Sequence, residues 1–599
     1  MKVRAVLRGV VVATILAMLG ALLPQLASAA PEKASGRYLV RARSSADYAG
    51  LRAKAVKEGA RVVRDLKQVN TMVVSAPASA RSSLAADRRT LGVARSQVRK
   101  IDAEVGAPNL DAPGVRGATQ LRAKAPAAAS AGGINPDPAW DYKGLLWDYR
   151  RIGLPQGWKT TAGSSKVTVG VADTGLDYTH SELGPKVKQV VDFTGLEPEN
   201  PCGDTSDEDL ANEFGGPADT DWNGHGSWIG GRIAGALDGK GINGIAPRVN
   251  LVALKISEWC GSASDAVLLA AFVAAADMGI DVVNISFGGY TDISTPEGAQ
   301  IYQAYIDAAR YARSKGTIIV ASSGNEHVRV GAGGRVVSHG PLSNPATAPE
   351  DFADLIGTVE MPGGVPGYVD VAATNRVVVP SSASCPPGTV GDPGDPDADP
   401  PVPPDFNATC KPASDPHQAA GQGRQNQLTY YSNYGPRIDI AGPGGARKFN
   451  LPLWDRGGTP GFPYTLDDLT NAWQVFSTTS NWAVEIPCFT FTTGSGFHEG
   501  ECYSTIQGTS MAAPQVVGSL ALIASAHPSL RKHPGALITR LKRLANDGPH
   551  NYTTAIRVGD TSPGELVPVP CEVGVCHLGG PRISDDNAYG AGLVNVATP

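Results

Sequence analysis

After its first thirty residues, the 599-residue sequence contains no apolar run long enough to span a bilayer. Its ten histidines and eight cysteines provide no second pair at a spacing that would complete a zinc site with Cys571 and Cys576. Within residues 31–124, which are basic, no aromatic residues alternate with the cations and no nucleic-acid-binding module is recognisable. We therefore expect no metal-binding residues, no nucleic-acid partner and no lasting contact with a membrane.

The first thirty residues have the pattern of a secretory signal. Lys2, Arg4 and Arg8 precede the apolar stretch 10–23, and Ala-Ser-Ala at 27–29 provides the small residues of a cleavage site. A membrane anchor is the alternative, but the apolar stretch is short and the small residues after it favour cleavage. We predict a signal peptide at residues 1–29 and a secreted, extracellular product.

Eight cysteines suit an exported chain, in which an even number predicts disulfide bonds. The sequence does not determine how they are connected. Proximity along the chain suggests the pairs 385–410, 488–502 and 571–576, which leaves 202–260.

Three separated segments carry the residue types of nucleophilic catalysis. Ser510 lies in Gly-Thr-Ser-Met-Ala-Ala-Pro, Asp173 ends a valine-rich stretch, and His225 lies in Asn-Gly-His-Gly. A serine hydroxyl is a weak nucleophile at neutral pH, so a histidine must take its proton and a carboxylate must orient the histidine. Each segment alone has an ordinary structural explanation, such as a turn, a strand end or a helix cap. Together, in the order Asp, His, Ser, they predict a catalytic triad.

With these segments, the chain resembles the subtilisin-like serine proteases from about residue 135 onwards. The resemblance implies a serine endopeptidase with an α/β fold, in which three layers, α/β/α, surround a mostly parallel sheet. It also implies that the side chain of Asn325, in Ser-Ser-Gly-Asn, and the backbone N–H of Ser510 stabilise the oxyanion of acyl transfer. An asparagine in a turn after glycine is the alternative.

The segment 283–289, Val-Asn-Ile-Ser-Phe-Gly-Gly, resembles the family's edge on which an extended substrate pairs its backbone. A plain buried strand followed by a turn is the alternative. The sequence indicates no preferred substrate side chain. The substrate-binding residues expected from the resemblance are Ser286, Phe287, Gly288, Ser323 and Gly324.

Beyond residue 135, short β-branched runs alternate with helical stretches, which predicts a parallel sheet covered by helices on both faces. Catalytic residues are then expected at the carboxyl ends of strands and at the starts of helices. The predicted strands are 167–173, 250–256, 281–286, 317–322 and 437–442. The predicted helices are 226–236, 263–278, 299–315 and 510–524.

Charge divides the chain unevenly. Residues 31–124 carry 19 basic and 8 acidic side chains, a net charge of +11, whereas residues 125–599 carry 30 and 49, a net charge of −19. A nucleic-acid-binding arm is one interpretation of the basic part. The other is a propeptide, residues 30–130, that docks on its own acidic enzyme as an intramolecular inhibitor.

The predicted propeptide resembles the small α+β inhibitor domain of the family. Two expected strands at 37–40 and 69–74 flank a helix at 48–58, and we place this domain at about residues 37–80. An alanine- and glycine-rich linker at 127–133 follows, so maturation is expected between Ala107 and Asp137.

The predicted catalytic domain, residues 131–599, has two long insertions. One, 385–410, is rich in proline and aspartate, and the other, 449–500, either shapes access to the site or is a solvated loop. The acidic stretch 204–221 is a solvated loop or a structural calcium site, although it lacks regular ligand spacing. We expect no cofactor, with structural calcium as the alternative.

Two positions depart from the family pattern, because Trp228 and Gln515 stand where histidine is usual. Neither belongs to the predicted triad. The leading interpretation is a secreted, monomeric endopeptidase, made as a zymogen, that hydrolyses protein or peptide substrates. The alternatives are a processing peptidase of narrow specificity and a catalytically silent binding protein with a protease fold. The complete Asp, His, Ser and Asn set argues against the silent protein.

Overall fold

The computed structural model describes residues 36–101, 146–197, 200–340, 353–374, 428–429, 431–445, 475–491, 496–545 and 589–599. Several predicted features lie outside these residues. They are the signal peptide, the linker at 127–133, the range expected for maturation, the insertion 385–410 with its cysteine pair, and the cysteine pair 571–576.

Residues 36–101 form a small N-terminal unit. Its elements are β1 (Gly36–Ala42), α1 (Ser45–Lys57), β2 (Arg61–Leu66), β3 (Thr71–Ala76), α2 (Ala78–Ala85), β4 (Thr90–Arg95) and β5 (Val98–Lys100).

The larger unit follows. Up to residue 314, its elements are α3 (Trp147–Arg151), α4 (Leu154–Gly157), β6 (Thr168–Asp173), β7 (Val187–Asp192), α5 (Asp207–Phe214), α6 (His225–Ala234), β8 (Asn250–Lys255), β9 (Ser262–Ser264), α7 (Asp265–Asp277), β10 (Val282–Ile285), β11 (Tyr290–Thr291) and α8 (Pro296–Ser314). Beyond residue 314, they are β12 (Ile318–Ser322), β13 (Val328–Val330), β14 (Val336–His339), β15 (Val359–Glu360), β16 (Val369–Thr374), β17 (Ile440–Pro443), β18 (Val475–Thr478), β19 (Tyr503–Ile506), α9 (Thr509–Ala526) and α10 (Pro534–Leu544).

A seven-stranded parallel sheet forms the centre of the larger unit, in the order β17-β16-β12-β10-β6-β8-β7. Because successive side chains of a strand point to opposite faces, its inner strands supply two separate cores. In β6, Val169 and Val171 enter the core shared with α6 and α9, whereas Ala172 enters the core shared with α7 and α8. The predicted three-layer α/β/α fold is confirmed.

The predicted strands and helices of this unit all appear, with ends shifted by up to three residues. Two strands of the seven-stranded sheet, β7 and β16, were not predicted. The side chains of β7 are partly or fully exposed at this sheet edge, so the strand lacks a strong apolar pattern. The strand β16 is buried throughout, but the charged residue Asp370 interrupts its apolar run.

In the N-terminal unit, an antiparallel sheet in the order β2-β3-β1-β4 carries α1 and α2 on one face. Its other face, through Leu39 and Val73, packs against α7 and α8 of the larger unit. The predicted elements at 37–40, 48–58 and 69–74 correspond to β1, α1 and β3. The folded unit extends past the predicted end near residue 80, because β4 pairs with β1 and completes the sheet.

Two of the predicted disulfide bonds, Cys202–Cys260 and Cys488–Cys502, are present. Among the described residues, one helix, α9, is long and apolar enough to cross a membrane by length and composition alone. Because 89% of that helix is buried inside the protein, it has the position of an interior helix.

Candidate active site

Asp173 and His225 meet at the carboxyl end of β6. Asp173 is the last residue of β6, and His225 is the first residue of α6. The His225 Nδ1 atom lies 2.8 Å from Asp173 Oδ1, and both side chains are fully buried. A side chain at position 226 would collide with the carbonyl oxygen of Gly175, so Gly226 allows the helix to begin this close to the aspartate. The carboxylate can therefore orient the imidazole ring.

Asp221 joins these two segments. Its Oδ1 atom accepts hydrogen bonds from the Gly224 N–H and from the Thr174 hydroxyl, both at 2.8 Å. Its Oδ2 atom accepts from the Ser227 N–H at 2.7 Å, which satisfies a donor in the first turn of α6. From the sequence, Asp221 was expected only as part of the acidic stretch 204–221. An aspartate shortly before a predicted helix start was the capping signal that could have found it.

Ser510 is the second residue of α9, where backbone N–H groups lack intrahelical acceptors. Pro514, four residues later, has no N–H with which to bond the Ser510 carbonyl oxygen. That oxygen instead accepts from the Ser286 hydroxyl at 3.1 Å. The Ser510 hydroxyl donates in turn to the Ser286 carbonyl at 3.4 Å. These bonds hold Ser510 against the end of β10.

Among the described residues, no hydrogen bond joins the Ser510 hydroxyl to His225, and the Nε2 atom of His225 has no partner. Helices α6 and α9 nevertheless pack against each other in one core. Catalytic hydrogen bonds are often long without substrate and tighten when it binds. The structure thus brings the aspartate and histidine into contact and places the serine on the adjacent helix.

Asn325 is fixed by Thr509, the residue before the candidate nucleophile. Its Oδ1 atom accepts from the Thr509 backbone N–H at 2.9 Å and from the Thr509 hydroxyl at 2.8 Å. Because a backbone N–H only donates, the Asn325 atom that faces it must be the oxygen, and the amide nitrogen points elsewhere. This nitrogen and the Ser510 backbone N–H suit the two donor positions of an oxyanion site.

The predicted substrate-binding residues lie just after β10 and at the end of β12. Ser286 contacts Ser510, as described above, and the backbone of Gly288 is paired in an isolated antiparallel bridge. The side chain of Phe287 is fully buried in the core with α7 and α8. Ser323 and Gly324 immediately follow β12 and precede Asn325.

The N-terminal unit reaches this region through β5. The Lys100 N–H donates to the Gly288 carbonyl at 3.1 Å, and the Gly288 N–H donates to the Lys100 carbonyl at 3.0 Å. On its other side, β5 pairs antiparallel with β9, and the Ile101 N–H donates to the Gly261 carbonyl at 2.9 Å. An extended segment of the chain's own N-terminal unit therefore lies between two edges, as a bound peptide would.

Part of the second predicted insertion contacts the start of the histidine helix, and its residues 475–480 are buried. The Thr479 hydroxyl donates to the Gly224 carbonyl at 2.9 Å, and the Ile486 N–H donates to the Asn223 carbonyl at 3.0 Å. All four residues of β18 are buried. The buried residues 475–480 therefore support the start of α6 and are not part of a solvated loop.

The acidic stretch 204–221 contains no cluster of ligands. In the part of the chain that the structure describes, no group of three or more His, Cys, Asp or Glu side chains could hold a metal ion. The Lys255 ammonium group lies 2.7 Å from Asp207 Oδ2 and donates to the carbonyls of Thr174 and Thr220. A lysine thus supplies positive charge to this stretch. The expectation of no cofactor, with structural calcium as the alternative, stays untested, and no catalytic step depends on it.

Trp228 and Gln515, which depart from the expected pattern, are both buried. The Trp228 indole N–H donates to the Ser504 carbonyl at 3.2 Å. Gln515 donates to Asp148 Oδ2 at 2.6 Å, and Asp148 also forms a fully buried ion pair with Arg232. Burial lowers the pKa of Arg232. These residues connect α3, α6 and α9 in the core beneath the site.

The fold and the site define a class of protein: a three-layer α/β/α domain with a buried Asp–His pair and a serine at the start of a central helix. The subtilase family model matches residues 164–553, which is more than half of the chain. The chain therefore belongs to the subtilase family.

Individual relatives are distant. The thermophilic serine proteinase of Bacillus sp. (strain AK1) is 30% identical over 185 residues, which cover 31% of this chain and 39% of that protein. Subtilisin DY of Bacillus licheniformis is 29% identical over 225 residues, 38% of this chain and 66% of the relative. The nisin leader peptide-processing serine protease NisP of Lactococcus lactis subsp. lactis is 28% identical over 269 residues, which cover 41% of this chain and 35% of that protein. The chain thus spans 35% to 66% of these relatives.

Solved structures show the same fold. Fervidolysin from Fervidobacterium pennivorans has a TM-score of 0.52 and 18% identity, with 94% of this chain and 61% of that chain covered. The epidermin leader peptide processing serine protease from Staphylococcus aureus has a TM-score of 0.52 and 17% identity, with 94% of this chain and 97% of that chain covered.

Proposed function

We propose that this chain is a serine endopeptidase in which Ser510 is the nucleophile, His225 the general base and Asp173 the orienting carboxylate. The contact of 2.8 Å between Asp173 Oδ1 and His225 Nδ1, beside the helix that begins at Thr509, carries this proposal. The carboxylate favours the tautomer with a proton on Nδ1, so Nε2 is the atom that accepts the serine proton.

In the proposed reaction, Ser510 Oγ attacks the scissile carbonyl carbon while its proton passes to His225 Nε2. The carbonyl oxygen becomes an oxyanion, which the Asn325 side chain and the Ser510 backbone N–H stabilise. The C–N bond then breaks as His225 donates the proton to the leaving amine. Water releases the acyl group from Ser510 by the same sequence of proton transfers.

A fluorophosphonate probe tests the nucleophile directly. We expect one covalent label on Ser510 in the matured wild-type protein and none in the matching Ser510→Ala variant. Since such a probe reacts only with an activated serine, an unlabelled wild-type protein would support the silent binding protein instead.

We further propose that the N-terminal unit is an intramolecular inhibitor and that the chain is exported through a signal peptide at residues 1–29. Lys100 occupies the backbone groups of Gly288 that a substrate would use. Arg99 anchors β5, because its Nε atom lies 2.7 Å from Asp265 Oδ1 with both side chains almost fully buried. It also donates to the Gly289 carbonyl at 3.0 Å. A substrate can pair with this edge only after β5 leaves it.

We propose that maturation cuts the chain between Ala107 and Asp137, behind β5. N-terminal sequencing of the secreted protein checks this range. A secreted protein that begins near Ala30 would reject it.

A processing peptidase of narrow specificity would use the same chemistry and differ only in the range of sequences that it cleaves. Two of the similar proteins are named as leader peptide-processing proteases, which keeps this alternative in consideration. Digestion of a peptide library by the mature enzyme distinguishes them, since a general endopeptidase cleaves many unrelated sequences and a processing enzyme cleaves few.

A further inference from the structure

Glu360 is a buried carboxylic acid that the proposed reaction does not use. It ends β15 and is 1% exposed. Its Oε2 atom accepts the Gly364 N–H at 3.1 Å, whereas its Oε1 atom has no hydrogen-bond partner. An unpaired carboxyl oxygen in a protein interior is costly, so its retention suggests a ligand.

The carboxyl group lies between the two strand ends that are predicted to bind substrate. A β-carbon placed on Gly288 would lie 2.5 Å from Glu360 Oε1. A β-carbon placed on Gly363 would lie 2.6 Å from Glu360 Oε2 and also 2.6 Å from the Ser322 carbonyl oxygen. Glu360 therefore extends from the Gly288 edge to the end of β12, and the glycine at 288 leaves it uncovered on that side.

Two further buried oxygen atoms without partners belong to the same region, Ser323 Oγ and Asp370 Oδ1. The β-carbon placed on Gly363 would lie 2.9 Å from Asp370 Oδ1. Burial, together with the nearby Asp370, raises the pKa of Glu360 well above its usual value. Burial also raises the pKa of Asp370, to about 7. Around Glu360, three buried oxygen atoms therefore have no hydrogen-bond donor.

Among the described residues, Glu360 forms no salt bridge. The neighbouring Arg437 is engaged elsewhere, because it pairs with Asp439 at 2.9 Å and donates to three backbone carbonyl oxygens. Arg99, the other cation that acts on Glu360, is paired with Asp265 and belongs to the removable N-terminal unit. After that unit leaves, Arg437, which already pairs with Asp439, is the described cation that still acts on Glu360.

The path of a bound peptide follows from β5. Lys100 pairs with Gly288 in an antiparallel bridge, and Ser510 lies against Ser286, two residues earlier. In an antiparallel pair, moving two residues along one strand moves two residues back along the other. A peptide in this register therefore brings the residue on the acyl side of the scissile bond opposite Ser286, between Gly288 and Asn325.

We propose that Glu360 selects substrates that carry lysine or arginine on the acyl side of the scissile bond. This inference rests on the proposed endopeptidase function and adds its substrate class. An ammonium or guanidinium group supplies the donors that Glu360 Oε1, Asp370 Oδ1 and Ser323 Oγ lack, and it offsets the charge of the carboxylates. An apolar side chain would leave these oxygens unpaired.

The test uses a series of fluorogenic peptides that differ only at the acyl-side residue, which is Arg, Lys, Met, Phe or Glu. For the mature wild-type enzyme, we expect kcat/KM for Arg or Lys to exceed that for Met by about 10-fold or more. Glu360→Gln keeps the shape and removes the charge, so it should lower kcat/KM about 10- to 100-fold on the Arg and Lys peptides. Its activity on the Met peptide should change little. Glu213→Gln, on the exposed side of α5, is the matched control.

The outcomes are distinct. A wild-type enzyme that cleaves the Met or Phe peptide as well as the Arg peptide overturns the selectivity and leaves the endopeptidase intact. An equal loss on every peptide in Glu360→Gln would assign the carboxyl a structural role and overturn the proposal. If Glu360→Gln does not fold, the wild-type series decides alone. Failure to cleave any peptide or to react with the probe would instead count against the proposed function.

Discussion

Pro514 positions the candidate nucleophile Ser510 because proline has no backbone N–H to bond the Ser510 carbonyl oxygen. Without the N–H of residue 514, the Ser510 carbonyl accepts the Ser286 hydroxyl, which ties the first turn of α9 to the end of β10. At the same scale, two bonds from Thr509 hold Asn325 so that its amide nitrogen is not the atom that contacts Thr509. Single hydrogen bonds thus determine which atoms of each candidate residue can meet a substrate.

Removal of the Ser510 hydroxyl should abolish nucleophilic attack. We expect Ser510→Ala to lower kcat by about 10⁵- to 10⁶-fold and to leave peptide binding nearly unchanged. If maturation is autocatalytic, the variant should also accumulate as uncut precursor. Peptide hydrolysis and gel analysis in a host without related proteases measure both effects. Normal hydrolysis and maturation of Ser510→Ala would overturn the catalytic assignment.

Loss of the Asn325 amide should be less damaging, because the Ser510 backbone N–H remains as a donor. We expect Asn325→Ala to lower kcat by about 10²- to 10³-fold with little change in KM. Thr509→Val, which removes only the hydroxyl bond to Asn325 and retains the backbone bond, should lower kcat less. If Asn325→Ala raised KM and left kcat unchanged, Asn325 would bind the ground state and the oxyanion role would be wrong.

At the scale of elements, β5 lies directly on the backbone edge that is proposed to bind substrate. It pairs with β9 on one side and with Gly288 on the other, and Arg99 is buried against Asp265 at its centre. Removal of one partner from a buried ion pair leaves the other charge unpaired, which costs more than the loss of a surface pair.

Residues 30–124, added in trans, should inhibit the mature enzyme at micromolar concentration. Arg99→Ala in that fragment should weaken inhibition by about 100-fold or more, because Asp265 would be left buried without its cation. Arg95→Ala, at an exposed position of β4, is the matched control and should inhibit as the wild-type fragment does. Inhibition constants measured with a peptide substrate decide this, and identical values for both variants would contradict it.

For the molecule as a whole, buried charges connect elements that are remote in sequence. Asp148 of α3, Arg232 of α6 and Gln515 of α9 meet in the core beneath the site. We expect Asp148→Ala to lower the free energy of unfolding by about 3–5 kcal/mol, because Arg232 would lose its counter-ion. Denaturant unfolding in a Ser510→Ala background, which avoids self-digestion, measures the change. The exposed Asp204→Ala is the control, and an equally small effect of both variants would refute the prediction.

Asp370 should make stability depend on pH. Burial raises its pKa from 3.8 to about 7, so the folded protein binds a proton that the unfolded chain has already lost in this range. Its contribution to stability is therefore present below pH 4 and is lost as the pH rises towards and through 7. Asp370→Asn should remove this dependence and become more stable relative to wild type at pH 8 than at pH 5. Parallel unfolding free energies at the two pH values would contradict the assignment.

The sequence by itself determined the parts of this protein that depend on local pattern. Asp173, His225, Ser510 and Asn325 lie in short glycine-containing motifs, and the structure places them at strand ends and helix starts. The alternation of apolar strands with helices was sufficient to predict three layers, because burial on both faces of a parallel sheet demands continuous apolar runs.

Only the tertiary structure decided which distant residues meet. Asp148 and Arg232 pair across 84 positions of sequence, and Glu360 reaches Gly288 from a strand with no recognisable motif. The position of β5 against the larger unit likewise depends on the ion pair of Arg99 with Asp265, which are far apart along the chain. Such contacts leave no periodic signal, because they arise from the packing of separate elements, and a single sequence records the period of each element without its neighbours.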